Sequence, residues 1–293
     1  MAITADSLAG AIERRSRWTQ LRLTVGRNRN VLVGGSLLLL IVAVAVLAPV
    51  LMTHDPSFQD PGERLLAPSS EYLLGTDGSG RDVFSRVVKG AQLSLLVGIG
   101  VATATSIIGG FIGLITGFVP RVDAPVMRVM DGLMAFPGII LAIGIMAVRG
   151  AEISNVILAL TVVNTPRMAR VVRSVVLGLA NTQFVEAAKS SGCTLWRILG
   201  VHLLPNTLSP LIVQASFVFA EAVLGEATLS FLGAGAPPEV PSWGGMLSES
   251  RLFLSQASWT MIAPGAALTF TVFALNLLGD GLRDMLDPRL RHR

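Results

Sequence analysis

The chain has 293 residues, of which 52% are hydrophobic and only 14% charged, with a mean hydropathy of +0.64. Soluble domains run near a quarter charged, so the composition argues against a soluble globular fold and for an all-α protein integral to a membrane. The net charge of +4 would suggest a nucleic-acid partner in a soluble chain, but here the Arg residues lie between apolar blocks, where they set orientation, and no nucleic acid is expected. A lone Cys193 excludes an internal disulfide and a cysteine-based metal cluster.

Residues 1–30 hold Arg14, Arg15, Arg17, Arg22, Arg27 and Arg29, and residues 31–52 are almost wholly apolar, which predicts a first span. Its apolar run is longer than a signal-peptide core of roughly 7–15 residues, so it reads as an uncleaved anchor, although Ala43-Val44-Ala45 imitates a cleavage site. Residues 53–90 are polar, with several Pro and Gly and the acids Asp55, Asp60, Glu63, Glu71, Asp77 and Asp82, and form a long extramembrane loop. Further apolar blocks at about 91–119, 126–148, 153–166, 208–232 and 259–282 bring the predicted count to six transmembrane helices. The fourth is short. It runs into Pro166, and because Arg167, Arg170 and Arg173 recur every three residues, a continuous helix is favoured over a kink at the interface.

Placing both termini inside puts 17 of the 23 Lys and Arg on the inner side and 6 on the outer, the bias that marks cytoplasmic loops. The chain then divides into an N-terminal tail, anchor and outer loop (1–90), a five-helix core (91–282) and a basic cytoplasmic tail (283–293).

The inner segment at about 181–206 contains Glu186-Ala187-Ala188, then Gly192, then His202-Leu203-Leu204-Pro205. Asn181 or Thr182 is placed to cap a short helix through Glu186, Gly192 to end it in a left-handed turn, and Thr194 to start a second helix ended by Pro205. Two short helices joined by glycine make a compact protrusion suited to a cleft in a partner. The segment resembles the Glu-Ala-Ala loop of binding-protein-dependent ABC permeases, with matching spacing throughout and His202 where that loop usually has Ile.

Two outer motifs extend the resemblance. Leu74-Gly75-Thr76-Asp77-Gly78-Ser79-Gly80-Arg81-Asp82-Val83-Phe84-Ser85-Arg86 is similar to a signature of the second permease subunit of dipeptide, oligopeptide and nickel importers. The run from Gly75 to Arg81 imitates a phosphate-binding loop, but Arg81 stands where that motif needs Lys. The bland reading is a glycine-rich turn held by Asp77, Arg81 and Asp82. Glu226-Ala227-Thr228-Leu229-Ser230-Phe231-Leu232-Gly233, followed by Pro237-Pro238 and Pro241-Ser242-Trp243-Gly244, matches the same branch at the end of the fifth span.

The resemblance implies a type I ABC importer permease fold and a peptide-type substrate. It further implies a homologous permease partner, two ABC ATPases carrying ATP and Mg, and an extracytoplasmic substrate-binding protein, with membrane lipid around the spans. Glu186, Ala187, Ala188, Gly192, His202, Leu204 and Pro205 would couple to the ATPases. No cofactor or metal is expected on this chain, and no catalytic residue: His54, His202 and His292 are far apart, and neither a serine elbow nor a usable Walker loop is present.

Glu221 and Glu226 are disfavoured in hydrocarbon, so they face a bundle interior, an aqueous cavity or the outer interface, in pathway or packing roles. Gly109, Gly113 and Gly117 give one smooth face on the second span, for packing or for lining a pore. Asp131, Asn276 and Asp280 read as partners of helix ends and neighbouring side chains. The rival reading is a self-sufficient secondary transporter or channel using Glu221, Glu226 or Asp131 as ion sites, which inverted repeats would favour. No convincing repeat is found.

The orientation is testable with an impermeant thiol reagent. Gly78→Cys should label from outside and Ser190→Cys from inside, and the opposite pattern rejects it.

Overall fold

The computed structural model describes residues 28–237 and 239–286. The arginines up to Arg27, Pro238 and most of the basic tail, including His292, lie outside the described residues.

Helix α1 (Arg29–Val46) starts where the Asn28 side chain accepts the Asn30 and Val31 N–H groups, and a further turn, Ala48–Leu51, extends it. Irregular chain follows, broken by a 3₁₀ turn at Pro61–Glu63. Helix α2 (Val83–Phe118) begins well before the expected residue 91, because Asp82 caps it, its carboxylate accepting from the Phe84 and Ser85 N–H groups.

The third predicted span, 126–148, is corrected. Helices α3 (Pro120–Met134) and α4 (Gly138–Arg149) meet at 89°. Pro137 lacks an N–H and disfavours helical backbone at Phe136, so the helix cannot run through. Arg121, Asp123, Arg128 and Asp131 also make α3 amphipathic rather than uniformly apolar.

Helix α5 (Ile153–Leu179) passes Pro166 without a break, the continuous form favoured from its arginine spacing. Among the described residues, four helical stretches are long and apolar enough to cross a membrane: α1, α2, the stretch Leu195–Phe231 and Trp259–Leu286. Counting the bent α3–α4 pair makes five. The expected six are not reached by that measure, since α5 has 27 residues but carries Arg167, Arg170 and Arg173.

After α6 (Gln183–Ser190) comes a turn at Leu195–Arg197 and a π-helical stretch, Ile198–Leu203, that feeds directly into α7 (Leu204–Phe231). The expected stop at Pro205 is therefore corrected. Pro205 lies in the first turn of α7, where a missing N–H is tolerated, so it opens a helix rather than closing one. Helices α8 (Trp243–Ser250) and α9 (Trp259–Leu286) complete the fold.

Helix α2 lies at the centre, packing most extensively on α5 and also touching α1, α3, α7 and α9. A large apolar core joins α2, α5 and α7 and reaches Val185 and Ala188 of α6. A smaller one gathers Ala45, Ala91, Leu95, Val223, Trp243 and Leu275. The α2–α5 contact is a glycine seam. A Cβ at Gly109 would lie 2.7 Å from Met168 Cβ, at Gly113 2.6 Å from the Ala169 carbonyl oxygen, and at Gly117 2.6 Å from Val176 Cβ. These three glycines therefore pack within the chain. The anchor α1 uses the same device on α9, where a Cβ at Gly34 would fall 2.6 Å from Leu278 N, and Asn28 Nδ2 donates to the Gly281 carbonyl at 3.2 Å.

The seam makes a quantitative expectation. Gly113→Leu should destabilise the subunit by at least about 2 kcal/mol through overpacking, read as thermal unfolding in detergent. Gly144→Leu, where an added Cβ meets nothing within 4 Å, is the control and should change little. Equal melting of the two variants would contradict the seam.

Candidate functional site

Two regions at opposite ends of the bundle, and a charged face between them, hold the residues singled out above. At one end α6 is a single amphipathic turn-pair whose Val185 and Ala188 are buried in the core with Val176, Ile198, Leu199 and Leu203. Its other face is open: Glu186 and Ala187 are exposed, beside Phe184 and, further on, Leu195 and Trp196. Helix α6 ends in a Schellman arrangement, with Cys193 N–H donating to the Ala188 carbonyl at 3.1 Å and Gly192 N–H to the Lys189 carbonyl at 3.0 Å. This requires the φ of +73° seen at Gly192, as the sequence reading expected.

The start of α6 departs from expectation. Thr182 occupies the cap position, but its hydroxyl donates back to the Leu179 carbonyl and does not receive a helix N–H. The protrusion is tied down instead by Lys189, whose ammonium lies 4.8 Å from the Phe118 ring centroid and 3.3 Å from the Ala180 carbonyl. His202 sits half-buried in the π-helical stretch, its carbonyl accepting from Asn206 Nδ2 at 2.7 Å, and Leu204 and Pro205 follow at the start of α7.

At the other end the two outer motifs form one assembly. Arg81 Nε donates to Asp77 Oδ2 at 2.7 Å and its Nη2 to Glu249 Oε2 at 2.5 Å, while Arg86 Nη2 reaches the same Glu249 oxygen at 3.3 Å. Asp82 Oδ2 accepts from Ser85 Oγ at 2.6 Å and Thr53 Oγ1 at 3.0 Å. Trp243 Nε1 donates to the Val87 carbonyl at 2.9 Å, and Trp259 Nε1 to the Thr76 carbonyl at 3.2 Å. Sequence reasoning placed Asp77, Arg81 and Asp82 in one turn but did not pair them with Glu249. The remaining signal was the need of two neighbouring arginines for a carboxylate.

The two glutamates of the fifth span separate. Glu226 is fully buried, with Ser230 Oγ donating to Oε1 at 2.8 Å and Ser230 Oγ in turn accepting from Ala236 N–H at 3.3 Å, so it fastens the chain beyond α7 to the helix itself. Glu221 is half-exposed and pairs with Arg167. Two further pairs follow along α5: Arg170 with Asp131 at 2.5 Å, and Arg173 bidentate with Asp123 at 2.5 Å. The sequence reading took these arginines as orientation signals and missed their partners. Their three-residue spacing on an unbroken helix was the available clue. Among the described residues, no group of three His, Cys, Asp or Glu side chains is placed to hold a metal ion.

The comparisons fit this geometry. Residues 84–292 match the family model described as the binding-protein-dependent transport system inner membrane component, and residues 16–68 match the N-terminal transmembrane domain of oligopeptide transport permease C. The chain belongs to the binding-protein-dependent transport permeases, the membrane-spanning translocation subunits of such systems. It is 42% identical to the dipeptide transport system permease protein of Alkalihalophilus pseudofirmus, over 94% of this chain and 91% of that one. It is 39% identical to the glutathione transport system permease protein of Pectobacterium atrosepticum, over 94% and 93%. A solved chain of the inward-facing MetNI methionine ABC transporter superposes with a TM-score of 0.58 at 21% identity, covering 69% of this chain and 96% of that one, which shows the type I importer permease fold.

Gly80 and Gly192 both have left-handed backbone, but a Cβ at Gly80 would lie 1.7 Å from the Asp60 carbonyl oxygen, whereas one at Gly192 meets nothing within 4 Å. Gly192→Ala should lose only about 1–2 kcal/mol, the backbone strain. Gly80→Ala should lose clearly more, because the backbone at Asp60 and the Gly80 turn must also part, and a thermal-unfolding comparison of the two variants checks the order.

Proposed function

We propose that this chain is the second permease subunit of an ABC importer for peptides or a related small solute, forming the translocation path together with a homologous permease. It carries no catalytic site of its own. Two partner ATPases bind ATP and Mg and hydrolyse the nucleotide, an extracytoplasmic binding protein delivers the solute, and both termini are cytoplasmic in the bacterial cell membrane. Peptide-type cargo is supported by the dipeptide and glutathione permeases among the relatives.

One observation carries the coupling role. The α6 protrusion is rigid toward the bundle and open toward the outside of the chain: Val185 and Ala188 are buried in the same core as α5 and α7, while Glu186, Ala187 and Trp196 stay exposed. A segment built this way transmits a push from a docked partner into the spans. The excess of Lys and Arg on that side of the spans supports a cytoplasmic position for it, facing the proposed ATPases. Against the rival reading, an ion-coupled carrier using Glu221, Glu226 or Asp131, Glu221 and Asp131 are paired with Arg167 and Arg170, and Glu226 is bonded to Ser230 through one of its two oxygens.

The test uses the reconstituted complex. Gly192→Val strains the left-handed turn and re-aims α6 at a position where an added Cβ meets no neighbour, and Glu186→Lys reverses the charge on its exposed face. Substrate-stimulated ATP hydrolysis and uptake should fall together in both variants, with the permease still in the membrane. Full transport by both would reduce this segment to a connector.

A further inference from the structure

The row of three ion pairs along α5 begins within the span and runs to the end that carries α6. Arg167 lies about 21 Å from the Ile153 end of α5, and Glu221 about 15 Å from the Phe231 end of α7, at 1.5 Å of rise per residue. Measured from those helix ends, Glu221 falls near the centre of a hydrocarbon layer roughly 30 Å thick and Arg167 in its inner half. Yet neither is enclosed by its own chain: their side chains are 53% and 43% exposed, and those of Arg170 and Asp131 46% and 60%. Charges at that depth do not face acyl chains, so this surface meets water or another protein.

The arrangement of the row decides between these. Successive arginines descend α5 from within the span toward the end that carries α6, each bridging to another helix: Arg167 to α7, then Arg170 and Arg173 to α3. A dry protein interface would desolvate six charges at once, and each would need its remaining hydrogen bonds satisfied. A hydrated passage carries no such cost, because water satisfies those bonds.

We propose that the Arg167–Glu221 pair lines the aqueous path and is an exchange station for a zwitterionic solute, Arg167 taking its carboxylate and Glu221 its ammonium group. The inference rests on the importer reading. In a narrow passage walled by low-dielectric helices, opening an ion pair is least unfavourable when each partner receives an opposite charge in return. A zwitterion, such as a short peptide with both termini free, supplies both charges in one step and leaves the local net charge unchanged. A singly charged solute strands one member of the pair. The Arg170–Asp131 pair offers the next such exchange toward the inner end.

The experiment compares ATP-driven uptake of radiolabelled dialanine by liposomes holding the full complex, with wild-type permease or the double variant Arg167→Gln/Glu221→Gln. A pair with only a structural role tolerates the double change, because both charges leave together and the amides still bond. As an exchange station it does not, and uptake should fall about tenfold with the complex assembled, whereas uptake within about threefold of wild type overturns the inference. A second measurement stands even if that variant fails to assemble. Glu221→Cys, in a chain carrying Cys193→Ser, should react with a charged methanethiosulfonate in the assembled complex, at rates that differ with and without bound ATP. No reaction in either state would put the face in a dry interface and overturn the inference. Wild-type complex that takes up no dialanine would instead overturn the peptide-importer reading beneath it.

Discussion

The fold hangs on the close approach of two backbones. Along α2, Gly109, Gly113 and Gly117 bring helix α5 so near that an added carbon would overlap Met168, Ala169 or Val176. In a bilayer no hydrophobic gain drives helices together, so van der Waals contact at this distance is what holds the central pair. The seam also fixes what α5 carries. Val176, packed on Gly117, belongs to the same apolar core as Val185 and Ala188 of α6, so the protrusion inherits the position of the seam rather than hanging from a free loop.

Charge is handled in two opposite ways. At the end of the bundle away from α6, Arg81 and Arg86 are nearly buried, share Glu249 between them and are closed off by Asp77, an arrangement that stiffens the turn because every member depends on the others. Along α5 the pairs stay open to the surroundings, with less than full burial at every rung. The same residue types thus lock one region and leave the other free to exchange partners.

The long apolar helices were legible from run length and the continuity of α5 past Pro166 from the arginine spacing, whereas the short helix α8 (Trp243–Ser250) was not anticipated. The left-handed turn at Gly192 was legible too, because the residue follows a short amphipathic run and little else fits that backbone. The break at Pro137 was misread as span interior, since hydropathy averages over a window and a single proline within an apolar run barely moves it. Pro205 was misread for the opposite reason: the same residue type closes one helix and opens the next, and only the π-helical stretch from Ile198 to Leu203 shows which applies here. Long-range pairs such as Arg86 with Glu249, or Arg173 with Asp123, join residues far apart in sequence, and no local pattern encodes them.

One helix ties both ends together. With 36 residues, α2 extends about 54 Å. At its start Asp82 caps it while holding Thr53 and Ser85, and Val87 receives the Trp243 hydrogen bond, so the assembly around Arg81 and Glu249 is built on its first turns. At its far end Phe118 lies under the Lys189 ammonium of α6. A displacement imposed on α6 therefore has a stiff route to the outer motifs through packed helix alone. Helix α3 has no part in the seam; it leaves α4 at 89° and holds α5 through Asp123 and Asp131. Ion pairs re-form at small changes of distance where interdigitated backbones do not, so a rearrangement that leaves α2 and α5 locked together is absorbed at α3, beside the open charged face.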